Sequence, residues 1–208
     1  MQGEPLPSGH SQDRRVQRSR AALMAAAVRL VSERGTTAIS VTDLAETANV
    51  SRQLVYLQFG DRDTLLVEAA ADLVRREVLP QISDGPEVSR ALASARHFAA
   101  HRSFYRAMLT GSCTFAIARE LTTLFSDLQR MAVRTLFGDL DPATAEHLAT
   151  FFVGGSGAVI NDWLINGAEP LDPEDLANSL LGVFSVFAGI YQRQPEVAPL
   201  SAAPHQPD

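Results

Sequence analysis

The 208-residue sequence predicts an all-α protein, and three observations carry that expectation. Apolar residues recur at spacings of three and four, as in Leu23, Ala26, Ala27, Leu30 and Val31. No alternating apolar and polar run competes with them. Helix start and stop residues stand between the periodic segments. Gly35 closes the first, and Asp172-Pro173-Glu174-Asp175 opens the last with a cap, a proline at the first helical position and an acid three residues after the cap. Between them, helices are predicted over 41–48, 51–57, 62–79, 87–101, 103–110, 114–137 and 142–166, the last closed by Gly167, before the final one at 173–193. Residues 1–13 and 195–208 are rich in Pro, Gly, Ser and small residues without an apolar period, and are expected to be disordered tails.

Composition narrows the function classes. A 46% share of hydrophobic residues is enough for a core. No uninterrupted apolar run reaches the roughly 18 residues that cross a bilayer, and the first thirty residues lack the apolar stretch of a signal peptide. A soluble, cytoplasmic protein without a membrane partner is therefore expected. The single cysteine, Cys113, excludes an intramolecular disulfide and fits a reducing compartment; with no base pointed at it, it is read as structural or pocket-lining. All eighteen basic residues are arginine. Residues 1–62 hold eight arginines against six acids, and residues 63–208 ten against eighteen, so the net charge of -6 belongs to the second part. The first part stays electrostatically open to nucleic acid.

Within that first part, Ser40 precedes a short helix and Asp43 lies three residues on, a capping-box pattern. Leu44 and Ala48 share a face, and Ala45 keeps the neighbouring surface small enough for a close helix crossing. Asn49 stands where the chain must turn, because Asn tolerates the left-handed conformation. Val50 then tucks inward, Ser51 is expected to cap the next helix through its hydroxyl, and Val55 faces the core. Arg52, Gln53, Leu54 and Tyr56 are left on the outer surface, which makes the segment a helix-turn-helix. Arg and Gln match guanine and adenine edges in the major groove, and Leu54 can pack against a thymine methyl. Tyr56 and Gln58 can donate to phosphate oxygens, Arg62 brings a charge to the first turn of the following helix, and Thr42 is counted with this set. Arg14, Arg15, Arg18 and Arg20 add candidate phosphate contacts sensitive to salt. Residue chemistry alone leaves a solvated polar hairpin equally open.

The stretch from Ala22 to Leu66 resembles the N-terminal DNA-binding domain of the TetR family of bacterial transcriptional regulators. It carries a long first helix ending in Arg34-Gly35, then SVTDLAETANVS, then LVYLQFGDRDTLL, with helix, turn and following helix in matching order and spacing. Asn49 departs from the usual Gly, Gln53 and Leu54 from the commoner Gly and Thr, Gln58 from a frequent His, and Arg62 from a common Lys, which leaves the operator sequence open. The resemblance implies a three-helix DNA-binding domain over 14–62 and a C-terminal domain over 63–194 that binds a small molecule and dimerises through its last two helices.

The residues of the second part fit that expectation. In the final helix Leu180, Leu181, Val183, Phe184, Val186, Phe187, Ile190 and Tyr191 leave little polar surface, so it needs cover on two sides. One side is the chain's own core, and the other suggests a partner subunit. Gly154, Gly157 and Ala158 of the preceding helix would let two backbones approach, so the expected interface is Gly154, Gly157, Ala158, Leu180, Phe184, Phe187 and Tyr191. A buried intramolecular hairpin is the alternative. Nine of the ten phenylalanines and the only tryptophan follow residue 63. Phe98, Tyr105, Met108, Phe115, Phe125 and Trp163, with Phe104 and the polar His101 beside them, are the candidates to line an apolar ligand cavity, of which about two or three are expected to touch a ligand.

Two further constellations carry no assignment. His97 and His101 are four apart and share a helix face, but no acid sits between them in the zinc-protease pattern and no third ligand declares itself. Gly154 to Ala158, GGSGA, misses the nucleophile elbow at its last position, so Ser156 is read as a small helix-interface residue. No catalytic residue, metal or cofactor is assigned. The sequence thus predicts a TetR-like regulator, not an enzyme. It is read as a repressor that binds a palindromic double-stranded operator as a homodimer and is released by a small apolar or aromatic effector. A helical ligand-binding protein or enzyme without DNA binding, or a helical adaptor, are the rival readings.

Overall fold

Helix boundaries follow the punctuation residues. The computed structural model describes residues 8–82 and 86–193. Gly35, at φ 63°, donates its N–H to Val31 O and ends α1 (Ser8–Arg34). The helix-turn-helix follows as α2 (Val41–Thr47) and α3 (Arg52–Phe59), then α4 (Arg62–Glu77) and a short α5 (Leu79–Ile82). The remaining helices are α6 (Glu87–Ala100), α7 (Arg102–Thr110), α8 (Thr114–Phe137), α9 (Pro142–Asn166) and α10 (Pro173–Arg193). Asp61, Asp141 and Asp172 each cap the helix they precede by accepting backbone N–H groups two or three residues on. No strand occurs among the described residues.

Three expectations need correction or placing. The N-terminal tail expected to reach residue 13 is shorter, because α1 already runs from Ser8 and no proline interrupts it before Gly35. The helix expected over 62–79 stops at Glu77, and the chain turns through Val78 into α5. The tail expected at 195–208 lies outside the described residues.

The main core is a continuous apolar cluster that starts between α1 and α4. Leu23, Ala27, Leu30 and Val31 of α1 and Leu65, Leu66, Ala69, Ala70, Leu73 and Val74 of α4 are all buried in it. The alanines on these faces allow the two backbones to run close together. The same cluster takes in Leu44 of α2 and Val55 of α3 at one end, then Phe104, Tyr105 and Met108 of α7, Ile117 of α8 and Leu164 of α9 at the other. The boundary expected at residues 62 and 63 thus falls at the start of a helix that packs back on α1 and forward into the second part.

A second seam joins α1 to α7. Buried Thr37, just past α1, accepts the Ser112 N–H on its Oγ1 at 3.3 Å. Gly111 sits against it so closely that a Cβ there would lie 2.2 Å from Thr37 Oγ1 and 2.8 Å from the Ala107 carbonyl oxygen.

In the second part α8 and α9 form a helical hairpin. Val133, Phe137, Ala149 and Phe152 bury a smaller cluster at its far end. Phe184 and Tyr191 of α10 reach it with ring centroids 4.8 Å from Phe152 and 5.3 Å from Phe137 respectively. Arg102, only 11% exposed, secures the other end of α9 by donating to the Leu164 and Gly167 carbonyls, where the helix dipole favours a cation. Helix α9 contains an 18-residue window of mean hydropathy 1.3, long and apolar enough to pass for a membrane span. Here its apolar surface is shared among α8, a partly open cavity and an exposed strip.

Gly111→Ala is expected to destabilise the fold by about 1–3 kcal/mol, because the Ala107 backbone cannot yield to the new methyl group. Urea unfolding of the two proteins measures it.

Candidate nucleic-acid interface and regulatory cavity

Ser40 takes the extended backbone of a cap and its Oγ accepts the Asp43 N–H at 3.0 Å. The reciprocal half of the expected capping box does not form. The Asp43 carboxylate instead accepts from Arg34 at 2.5 Å, a bond that ties the end of α1 to the start of α2 and holds Asp43 below the usual carboxylate range. Asn49 adopts φ 54°, and the Val50 N–H returns to Ala45 O at 2.9 Å, closing the turn. Ser51 has the backbone of a cap, but its hydroxyl makes no cap bond, contrary to expectation; the Leu54 N–H closes the first turn on the Ser51 carbonyl.

Helix α3 is fixed by two residues four apart, Val55 and Phe59, both buried. The opposite face projects Arg52, Gln53, Tyr56 (55% exposed) and Leu57 (79% exposed). Leu54, expected on the outer surface, is half-buried at the edge of this face. Leu57 was not among the expected contacts although it continues the spacing of Gln53, because a leucine in a helix reads as core by default.

Gln58 and Arg20 were expected to meet phosphate and do not face that way. Gln58 Nε2 donates to Ser19 Oγ on α1 at 2.9 Å, and its buried Oε1 has no protein partner among the described residues. Arg20 donates to the Gln58 carbonyl at 2.9 Å, pairs with Glu68 of α4, and lies 4.3 Å over the Phe59 ring. A cation at the end of α3 is favoured both by the helix dipole and by the ring. The two side chains therefore seat the recognition helix on its base. Arg14, Arg15 and Arg18 remain exposed along α1. Arg62 is half-buried and its Nε donates to Asp63 Oδ1 at 2.7 Å, so its charge is matched by its neighbour. Thr42 is half-buried in the first turn of α2, and the starts of α2 and α4 border one shallow groove along Ser40, Val41, Asp61 and Arg62.

A cavity of about 370 Å³ lies in the second part, enclosed mainly by α6, α8, α9 and α10. Its wall is mostly apolar, with Leu121, Leu128, Ile160 and Leu181 prominent, and polar groups are few, among them Arg90, Thr122, Gln129 and Asn161. Of the expected ligand set, Phe98, Tyr105 and Phe125 stand on this wall. Five do not. Phe104 and Met108 are fully buried in the main core, Trp163 packs half-buried against it, His101 turns toward α4, and Phe115, in the first turn of α8, is 81% exposed. The aliphatic wall escaped notice because leucines at helical spacing look the same whether they pack or line a void.

The expected interface residues divide. Gly154, Gly157, Ala158, Leu180 and Phe184 border the cavity, whereas Phe187 and Tyr191 stand exposed on α10 beside Val183, Val186 and Ile190. The division arises because α10 packs chiefly along α6, with Arg96 paired to Glu174 at 2.7 Å, and leaves a gap toward α9.

At the junction of the two parts, Glu77, the last residue of α4, receives His97 of α6 and His101, which stands between α6 and α7. Its Oε2 lies 3.1 Å from His97 Nδ1 and 2.8 Å from His101 Nε2, while His97 Nε2 lies 2.8 Å from the Tyr105 hydroxyl. Burial pushes His97 down to about 4, and the neighbouring His101 adds to that. Burial also pushes the Tyr105 phenol up. Burial alone would raise Glu77, but the hydrogen bonds and charge of the histidines outweigh it and hold the carboxyl below its usual range. Glu77 is twenty residues from His97, so no local spacing announced it.

Residues 23–69 match the family described as bacterial regulatory proteins, tetR family, and residues 91–185 match a transcriptional regulator C-terminal region. The chain belongs to the TetR family. Curated relatives include the HTH-type transcriptional regulator BetI of Brucella abortus (strain 2308) and of Brucella suis biovar 1 (strain 1330). Each is 26% identical over 182 residues, covering 83% of this chain and 91% of the relative. Among solved structures, the dihydroxyacetone kinase operon activator DhaS is similar with a TM-score of 0.55 at 17% identity, over 83% of this chain and 97% of that one. A putative transcriptional regulator from Rhodococcus sp. RHA1 follows at 0.53 and 18%, over 81% and 96%. These two likenesses concern the fold. The TetR match runs to residue 69, past the start of α4, in line with the packing of that helix on α1.

Asp61, which caps α4 beside Arg62, sits below its ordinary value of 3.8 because it accepts the Thr64 N–H. A lowered folded value means that its stabilisation is present above the unfolded value and is lost as pH falls through the folded one. Asp61→Ala is expected to cost about 1 kcal/mol at pH 7, with the gap to wild type closing below about pH 4. Denaturant unfolding across pH measures it.

Proposed function

We propose that this TetR-family chain is a ligand-responsive repressor that binds a palindromic operator as a homodimer in the bacterial cytoplasm. The observation that carries the reading is the outward face of α3. Arg52, Gln53 and Tyr56 project from a helix seated on a buried base, with Leu57 beside them, where a flat contact with the major groove is open. Thr42, Ser51, Leu54 and Arg62 flank this face and supply phosphate or edge contacts, and the exposed arginines of α1 add screening-sensitive attraction.

The effector is a small, mainly apolar molecule taken up in the cavity, with Phe98, Tyr105 and Phe125 against it and the few polar wall groups orienting it. Because α4 shares one core with α1 and with the helices near the cavity, a change in cavity filling has a packed route to the reading helices. The effector releases DNA only as far as it binds the DNA-incompetent spacing more tightly. Bound across a promoter, the dimer blocks polymerase, and this is why repression is the sign proposed.

Support for the dimer comes from the far face. Phe151 and Val159 of α9 and Val183, Val186 and Ile190 of α10 are exposed large apolar groups. A Cβ added at Gly155 or Gly182 would meet nothing within 4 Å, so nothing inside this chain demands their smallness. A second copy laid against α9 and α10 accounts for both.

Arg52→Ala is expected to weaken binding to DNA from upstream of the chain's own gene by about 1–3 kcal/mol. Tyr56→Phe, losing one phosphate donor, should weaken it uniformly across sequences. Fluorescence anisotropy against salt measures both, and a wild-type protein without salt-sensitive binding would overturn the reading. Ile190→Asp should convert the dimer to monomer in sedimentation with helicity retained; a wild type already monomeric at micromolar concentration refutes the interface.

A further inference from the structure

We propose that Glu77, His97 and His101 form a divalent transition-metal site, Zn²⁺ by its ligand chemistry, that pins the end of α4 to α6. The three side chains come from α4, α6 and the residue that joins α6 to α7, at the junction of the two parts, and their donor atoms all lie within 4.8 Å of one another. A tetrahedral ion with bonds of about 2.0–2.1 Å holds its ligand atoms about 3.3 Å apart. The two nitrogens stand 3.1 and 2.8 Å from the shared carboxylate oxygen, close to that spacing, and side-chain rotations that open these two contacts and draw the imidazoles together admit the ion. Two imidazoles and one carboxylate suit Zn²⁺ and disfavour Mg²⁺ and Ca²⁺, which take oxygen ligands. Glu77 and His101 are partly exposed and His97 is buried, so the ion enters from the solvent side and keeps a water as fourth ligand.

The partner of the remaining His97 nitrogen fits the same assignment. A metal-bound imidazole donates its other N–H to a fixed acceptor, and His97 Nε2 lies 2.8 Å from the buried Tyr105 hydroxyl. Metal on Nδ1 moves the imidazole proton to Nε2, which then donates to Tyr105. The phenol O–H, no longer needed by His97, becomes available to another acceptor. Tyr105 is also on the cavity wall. Tyr105 is therefore a positioning residue for the metal, and occupancy of the site and of the cavity are linked through it.

The test uses full-length protein stripped with chelator, titrated with ZnCl₂ by calorimetry and with CoCl₂ by visible absorption. One Zn²⁺ per chain and an intense tetrahedral Co²⁺ spectrum are expected, together with a higher thermal midpoint on adding Zn²⁺. His101→Ala and Glu77→Gln, at partly exposed positions, should each abolish the stoichiometric uptake and the thermal shift. Tyr105→Phe should weaken uptake by about 10-fold while keeping the Co²⁺ spectrum tetrahedral. No saturable uptake, uptake unchanged in both ligand variants, or uptake lost instead on substituting the exposed His147 of α9, remote in sequence from the three ligands (His147→Ala), would overturn the site. Circular dichroism of each variant separates loss of a ligand from loss of fold.

Discussion

Helix α4 buries one face from Leu65 to Val74, and the other parts take their positions from it. Leu65, Leu66, Ala69, Ala70, Leu73 and Val74 belong to a single apolar cluster with α1. Each fully buried leucine is worth about 1.5–3 kcal/mol of transfer free energy, so shifting α4 by a turn against α1 forfeits several such terms together. That stiffness is what holds a helix of only eight residues in place with its outer face free. Helix α3 would not persist alone in water, and it is held by Val55, Phe59 and the Arg20 contacts to the same base.

The α4 end points into a polar knot rather than into more leucine. Glu77, His97, His101 and Tyr105 satisfy one another where α4, α6 and α7 converge. An unpaired group in that place would be costly, whereas a satisfied network selects one relative placement of the helices. The junction between the DNA-facing part and the cavity is thus set by directional bonds on one side and by apolar packing on the other.

Much of this was legible from residue order. The end of α9 and the start of α10 followed from Gly167 and Asp172-Pro173, because capping chemistry is local. The turn at Asn49 was legible for the same reason, since few residues tolerate a positive φ. Contacts between distant segments were not. Gln58 reads as a surface amide until Ser19 is brought beside it, Arg20 reads as a phosphate contact until Glu68 and Phe59 close on it, and Glu77 gives no sign of its histidines. Likewise Phe115 and Phe125 are equivalent as letters, and only the packing of α8 separates a solvent-facing ring from one on a cavity wall.

The seating of α3 has a consequence for how such a protein diversifies. Its anchoring rests on Val55 and Phe59, together with the Arg20 and Gln58 bonds beneath the helix, and none of these belongs to the outward row of Arg52, Gln53, Tyr56 and Leu57. Scaffold and alphabet are held on separate faces. On the proposed reading, descendants of this chain can exchange residues of that outward row one at a time, acquiring new target sites without passing through a misfolded ancestor.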